Sequence, residues 1–64
     1  MSRKAKVMIV EDHPIFRKGL AHLINEEKDM EICGEAEDVI EAGKILKKIR
    51  PDMMIVDLTL KGAS

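Results

Sequence analysis

The sequence predicts an α/β fold in which three parallel strands alternate with two helices, in the order βαβαβ and with the strands arranged 2-1-3. Two continuous apolar runs, Val7–Val10 and Met53–Val56, each end at acidic residues, as expected of strands buried on both faces. Between these runs lie two segments whose apolar residues have helical spacing. A third segment, in which apolar and more polar residues alternate, separates the two. Because each connection contains a helix, the strands should be parallel and the crossovers right-handed.

The first half of the chain is predicted to form a strand over residues 6–10 and a helix over residues 14–25. Pro14 suits the first turn of that helix, since an N–H at this position would have no partner in the helix. His13 falls at the N-cap position, and Arg17 is expected on the polar side of the helix. The residues expected to form its single apolar face are Ile15, Phe16, Leu20, Leu23 and Ile24.

The second half is predicted to form a strand over residues 30–36, a helix over residues 38–49 and a strand over residues 53–57. Asp38 is a suitable N-cap for the second helix, and Pro51 ends it because the residue before a proline disfavours helical geometry. The strand at 30–36 alternates between two sides, which is typical of an edge strand with one more polar face. The more apolar side consists of Met30, Ile32, Gly34 and Ala36, and the more polar side consists of Glu31, Cys33 and Glu35.

Length and composition exclude several classes of protein. Sixty-four residues form one small domain at most, and the net charge of −1 offers no field that would attract nucleic acid. The single Cys33 cannot form an internal disulfide, which favours a reducing, cytoplasmic setting, and we interpret it as a small buried strand residue. No segment approaches the ~20 apolar residues of a membrane-spanning helix, so no membrane partner is expected.

Three carboxylates are predicted to meet at one edge of the sheet. Glu11 and Asp12 follow the first strand and Asp57 ends the third, and open α/β sheets place ligands at the carboxyl ends of their strands. The carboxylates would repel one another without a cation, and Mg²⁺ prefers such oxygen ligands. The backbone carbonyl of Thr59 could add a further oxygen. Asp57 stands apart from the other two and is the best candidate for a nucleophile in phosphoryl transfer.

Each of these acids, taken alone, could also be present without any functional role. Loops that follow strands are commonly polar, which would account for Asp57, and Asp12 could simply cap the helix that follows it. Both groups together, at the matched ends of two apolar runs, favour a functional site.

Several stretches resemble the receiver domain of bacterial response regulators (CheY-like), and in particular its NarL/FixJ (LuxR-type) subgroup. Residues 6–20, KVMIVEDHPIFRKGL, are similar to the opening of such domains, and Cys33–Ala36 is similar to their second strand. Residues 50–52, Arg-Pro-Asp, and the Asp57-Leu58 pair are similar to the third strand and phosphorylation site. The resemblance implies a flavodoxin-like doubly wound fold, of which this chain would supply half.

The same resemblance implies a function that is regulatory and not enzymatic. Asp57 would be the phospho-acceptor for a sensor histidine kinase. Asp12 would bind Mg²⁺ directly, Glu11 would bind it through water, and the Thr59 carbonyl would complete the protein ligands. The phosphorylated receiver would control transcription through an attached helix-turn-helix domain that makes all contact with DNA.

The sequence also departs from the pattern of these receivers. They have five strands and five helices, and we expect residues 1–64 to be a truncated, N-terminal half that lacks the later Ser or Thr, the later Lys and the DNA-binding domain. The first acid is Glu11 where many relatives have Asp, and Lys61 stands where many have Pro. We therefore expect weak Mg²⁺ binding, poor phosphorylation of the fragment itself, and homo-oligomers formed through the exposed edge of the third strand.

Two other functions are compatible with part of this pattern. A magnesium-dependent phosphohydrolase would also use an Asp nucleophile, but such enzymes often carry a second Asp two residues later, where this chain has Thr59. The other alternative is a purely structural fragment that folds through self-association and binds no ligand.

Overall fold

The computed structural model describes residues 3–57, which form a three-stranded parallel sheet with two helices. The sheet has the order β2-β1-β3, as the sequence predicts. The described elements are β1 (Ala5–Val10), α1 (Pro14–Asn25), β2 (Met30–Ala36), α2 (Val39–Leu46) and β3 (Met53–Val56). The predicted fold class is therefore confirmed, and the carboxyl ends of all three strands lie at one edge of the sheet.

The central strand β1 forms the core because it is covered on both faces. Val7, Met8, Ile9 and Val10 are each at most 1% exposed. Met8 and Val10 pack with Ala36 of β2 and Ala42 of α2. Alternation along the strand directs Ile9 to the opposite face, where it lies near Phe16 and Leu20 of α1. The two helices thus cover opposite faces of the sheet.

Helix α1 has its predicted bounds, but only Leu20 and Ile24 of the predicted apolar face are partly buried. Its buried or partly buried positions follow the spacing Arg17, Leu20, Ala21 and Ile24, which is one helical stripe. Phe16 and Leu23 are exposed, as is Ile15. The small Ala21 lets the helix lie close to β1 and β2, which rotates the contact stripe away from the largest apolar side chains.

Helix α2 begins where predicted and ends three residues early. The Asp38 side chain accepts a hydrogen bond from the Glu41 N–H at 2.7 Å, and the Glu41 side chain accepts one from the Glu37 N–H at 2.9 Å. The first bond satisfies an N–H that the first turn leaves unpaired, and the second ties the residue before the N-cap to the helix. The helix ends at Leu46, and residues 47–48 form a turn ahead of Pro51.

A bulge in β2 breaks the predicted alternation of its side chains. Val7 pairs with Ile32 and the next residue, Met8, pairs with Gly34, so Cys33 is the extra residue. Cys33 consequently packs against the buried cluster on the α2 face and does not share a polar side with Glu35. A side chain at position 34 would meet Ile49 Cδ1 at 3.1 Å, which explains the glycine.

Strand β3 is held in register with β1 at both of its ends. At the start, the Asp52 side chain accepts a hydrogen bond from the Lys6 N–H at 2.7 Å, and the Asp52 N–H donates to the Lys6 carbonyl at 2.8 Å. At the end, the Asp57 N–H donates to the Val10 carbonyl at 3.1 Å. The strand itself ends at Val56, so Asp57 is the first residue after it and not its last residue.

The predicted self-association through β3 can be tested by a single charge. Met53, Met54 and Val56 are exposed, and a lysine on an edge strand opposes pairing with another strand. Met53→Lys should therefore shift the chain toward monomer in sedimentation velocity at high concentration, by about tenfold in the dissociation constant if one such contact contributes roughly 1.4 kcal/mol.

Ile15→Lys is the matched control, because it places the same charge on an exposed apolar position of α1. It should leave the association unchanged. Wild-type protein that sediments as a monomer at every concentration would contradict the prediction.

Within residues 3–57, no helix has the length and apolar character needed to cross a membrane.

Candidate metal centre

Glu11 is fixed at the end of β1 by both its backbone and its side chain. Its N–H donates to the Ala36 carbonyl at 2.9 Å, and its own carbonyl accepts from Arg17 Nη1 at 2.7 Å. The residue is 2% exposed, and its Oε2 atom accepts a hydrogen bond from the His13 N–H at 2.8 Å. A carboxylate buried to this extent requires partners for its charge, and they come from the turn that follows.

Asp57 lies beside this position because of the register of the sheet. Val10 pairs with Val56, and the Asp57 N–H continues the ladder to the Val10 carbonyl. Glu11 and Asp57, which follow this pair, therefore lie side by side at the ends of the two strands. The Asp57 side chain is 20% exposed, which leaves its carboxylate accessible from solvent.

Four side chains from the two strand ends converge on one point. Ligand atoms of Glu11, Asp12, His13 and Asp57 all lie within 4.8 Å of one another. The sequence predicted the three carboxylates in this cluster, and the structure brings all three together. Thr59, the fourth predicted ligand, lies outside the described residues.

The donor set fits a divalent cation. Asp12 Oδ1 is buried and makes no hydrogen bond, although it forms an ion pair with His13 Nδ1 at 3.0 Å when the imidazole is protonated. A buried carboxylate oxygen of this kind has lone pairs available for a metal. Glu11, Asp12 and Asp57 could hold Mg²⁺, which takes one or two carboxylates together with waters.

His13 is the member of the cluster whose titration the neighbouring acids change. A side-chain hydrogen bond of 2.6 Å to Glu11 raises the pKa of its imidazole above 6.5, and the charges of Asp12 and Glu11 raise the pKa further. Burial lowers the pKa in part, and the more distant charge of Asp57 raises it least. Protonation of His13 is therefore favoured in the folded chain. The stability that the interactions of protonated His13 add to the fold is fully present below pH 6.5. It is lost as the pH rises through the raised pKa of His13 in the folded chain.

Glu11→Gln should return the pKa of His13 toward 6.5 in metal-free buffer, because it removes the largest cause of the shift. The measurement is an NMR titration of the His13 ring protons in the presence of EDTA. Glu27→Gln makes the same change at an exposed position near the opposite edge of the sheet and should leave the titration unchanged. A His13 pKa at or below 6.5 in the wild-type chain would contradict the geometry.

Arg17, like His13, belongs to this site although the sequence predicted no role for it there. Its Nη1 donates to the Glu11 carbonyl at 2.7 Å, and its Nε lies 3.5 Å from Glu35 Oε1 on β2. Its side chain is 19% exposed, so it lies inward and not on the polar side of α1. Arg17 thereby ties α1 to the ends of two strands and holds the backbone from which Glu11 and Asp12 extend.

An apolar groove of about 380 Å³ leads to the acids from the α1 face of the sheet. Phe16, Leu20 and Ile55 line it, and it ends at Glu11 and Asp57. A larger cavity of about 580 Å³ lies at the other end of β3, near Pro51 and Asp52. None of the converging acids lines this larger cavity, so the acid cluster lies at the smaller of these two cavities.

The chain has relatives of two kinds, methylesterases and transcriptional regulators. A protein-glutamate methylesterase/protein-glutamine glutaminase of Pyrococcus horikoshii is 43% identical over 60 residues, which cover 94% of this chain and 16% of that protein. A nitrate/nitrite response regulator protein homolog of Haemophilus influenzae is 31% identical over 64 residues, which cover 100% of this chain and 31% of that protein. The transcriptional regulatory protein LiaR of Bacillus subtilis is 33% identical over 57 residues, which cover 89% of this chain and 27% of that protein.

This chain therefore spans less than a third of the length of each of these three relatives. No solved structure matches it significantly. Residues 7–64 match the response regulator receiver domain. The parallel βαβαβ order and the acids converging at the ends of β1 and β3 agree with that match, and the chain belongs to the family of response regulator receiver domains.

Proposed function

We propose that the chain receives a phosphoryl group on Asp57 from a sensor histidine kinase and acts as the receiver of a two-component response regulator. The observation that carries this proposal is the convergence of Glu11, Asp12 and Asp57 within 4.8 Å at the ends of two neighbouring strands. Membership in the receiver family supports it. The same convergence would have no chemical purpose in a purely structural fragment, because close carboxylates repel one another.

The residues divide the chemistry between them. An Asp57 carboxylate oxygen attacks the phosphorus of a phosphohistidine, the O–P bond forms, and the P–N bond breaks with its electron pair left on the imidazole nitrogen. Asp57 suits this role because its side chain is accessible at the mouth of the groove, whereas Glu11 is 2% exposed and held by His13. Bound Mg²⁺ would supply positive charge that neutralises the transferring group. Glu11 and Asp12 would hold that ion.

We also propose that residues 1–64 provide the metal-holding part of the receiver. The acids described here all come from β1 and β3, and the relatives extend well beyond the matched residues. A Thr59 carbonyl is the further ligand expected just after β3. Since these residues are the ones that bind the cation, the chain alone should bind Mg²⁺ and accept phosphate slowly.

The output of the whole protein is proposed to be transcription regulation, through a DNA-binding domain separate from this segment and in a cytoplasmic setting. The similarity to the nitrate/nitrite regulator homolog and to LiaR favours the NarL/FixJ subgroup. The methylesterase relative favours a second candidate, in which the same receiver controls an enzymatic domain. Receiver residues make the phosphate site in both cases, so the two candidates differ only in what is attached.

Incubation with a small phosphodonor such as phosphoramidate tests the receiver function. We expect slow, Mg²⁺-dependent uptake of phosphate into a product that hydroxylamine cleaves, since an acyl phosphate has that lability. Removal of the metal with EDTA should abolish the uptake, and so should Asp57→Asn. Asp29→Asn removes an exposed carboxylate at the opposite edge of the sheet and should retain the uptake. Equal uptake by the wild-type and Asp57→Asn chains would contradict the proposal.

A further inference from the structure

His13 brings a nitrogen atom into a cluster that otherwise consists of carboxylates. Its Nδ1 lies 2.6 Å from Glu11 Oε2, 3.0 Å from Asp12 Oδ1 and 4.0 Å from Asp57 Oδ2. We propose that His13 Nδ1 is a direct metal ligand here, and that the site consequently selects a divalent transition ion such as Mn²⁺ over Mg²⁺. This inference rests on the carboxylate site of the proposed function and adds a ligand to it.

The distances fit the shell of a single ion. An octahedral ion with bonds of about 2.1 Å separates neighbouring ligand atoms by about 3.0 Å and opposite ones by about 4.2 Å. The separation of 3.0 Å from Asp12 matches a neighbouring pair, and the separation of 4.0 Å from Asp57 matches an opposite pair. The separation of 2.6 Å from Glu11 is that of a hydrogen bond, and it would lengthen when an ion replaces the shared proton.

The local backbone keeps the imidazole beside the carboxylates. His13 occupies the N-cap of α1 in an extended conformation, with φ −94° and ψ 109°, and its side chain makes no capping bond. Its N–H is bonded to Glu11 Oε2, which closes a short turn and directs the ring toward the same oxygen. The ring is 68% exposed, so the core does not restrict its small adjustments around an ion.

Ligand chemistry then determines which ion is preferred. Magnesium takes oxygen ligands almost exclusively and gives up its waters reluctantly. Imidazole nitrogen raises affinity for first-row transition ions, which bind mixed nitrogen and carboxylate sites in preference to magnesium. A site with three carboxylates alone would discriminate less between these ions, so His13 is the residue that adds specificity.

Pulsed EPR of Mn²⁺ bound to the tag-free chain at mildly alkaline pH tests the proposal. We expect modulation from a directly coordinated ¹⁴N nucleus, and we expect His13→Gln to remove it. In calorimetric titrations, His13→Gln should lower the ratio of Mn²⁺ to Mg²⁺ affinity by about tenfold. His22→Gln, which removes an exposed histidine from the last turn of α1, should preserve both the modulation and the ratio.

Two results would overturn the inference, and they are distinguishable. Bound Mn²⁺ without nitrogen modulation, lost on Asp12→Asn, would show that the carboxylates hold the ion without His13 and would leave the proposed function standing. Failure of both Mn²⁺ and Mg²⁺ to bind the wild-type chain would overturn the inference together with the metal site of the proposed function.

Discussion

Asp12→Asn should reduce the affinity of the chain for Mg²⁺ by at least about 100-fold, since even residues that only orient metal ligands contribute 10–100-fold. Asp12 Oδ1 is buried without a hydrogen-bond partner and lies in the cluster formed with Glu11 and Asp57. The amide of asparagine keeps the shape of the carboxylate and loses its charge. Isothermal titration of the metal-free protein with Mg²⁺ measures the effect.

Thermal unfolding separates this loss from damage to the fold. In EDTA, Asp12→Asn should melt at the same temperature as the wild-type chain or slightly higher, because one carboxylate fewer repels its neighbours. Added Mg²⁺ should raise the melting temperature of the wild-type chain and leave that of Asp12→Asn unchanged, since a ligand that binds only the folded state stabilises it. Asp29→Asn is the control and should behave as wild type. Unchanged Mg²⁺ affinity in Asp12→Asn would contradict the assignment.

Met8→Ala should destabilise the chain by about 2–5 kcal/mol, the range for truncating a buried methionine in a core. Met8 is fully buried in the central strand and packs with Val10, Ala36 and Ala42. A chain of this length has a total stability of roughly 3–10 kcal/mol, so the variant should lose a large share of its stability and unfold at a clearly lower urea concentration. Urea denaturation at low protein concentration, followed by circular dichroism, measures the free energy of unfolding.

Met54→Ala is the matched control for this prediction. Met54 is the partner of Met8 across the sheet, but it lies on β3 and is 39% exposed. The same truncation should therefore cost measurably less, because part of this side chain is already in contact with water in the folded chain. Equal losses at the two positions would show that β3 is covered in solution to the same extent as β1.

The parts of the fold that were predictable are those that depend on local pattern. Val7–Val10 is apolar without interruption because both faces of β1 are covered, and Pro14 and Asp38 mark helix starts through backbone chemistry that acts within one turn. The acid cluster was predictable for a related reason. Once two strands are parallel neighbours, the residues that follow them must meet at one edge.

The parts that were missed depend on how elements pack against one another. The buried stripe of α1 passes through Ala21 and Arg17 because a small residue allows close approach to the sheet, and a periodicity of apolar residues cannot show this. The bulge at Cys33 arises from the fit between β1 and β2 and has no sequence signal of its own. His13 was placed correctly at the N-cap, yet its contacts with three acids follow from the turn geometry.

We propose that Asp57 accepts the phosphoryl group at a site where Glu11 and Asp12 hold the metal. Borohydride reduction of the phosphorylated protein, followed by peptide mass spectrometry, tests this most directly because reduction converts an aspartyl phosphate into homoserine. We predict homoserine at position 57 only, and only when Mg²⁺ is present during phosphorylation. Reduction at Asp12, or labelling of Asp57 that persists in EDTA, would contradict the account.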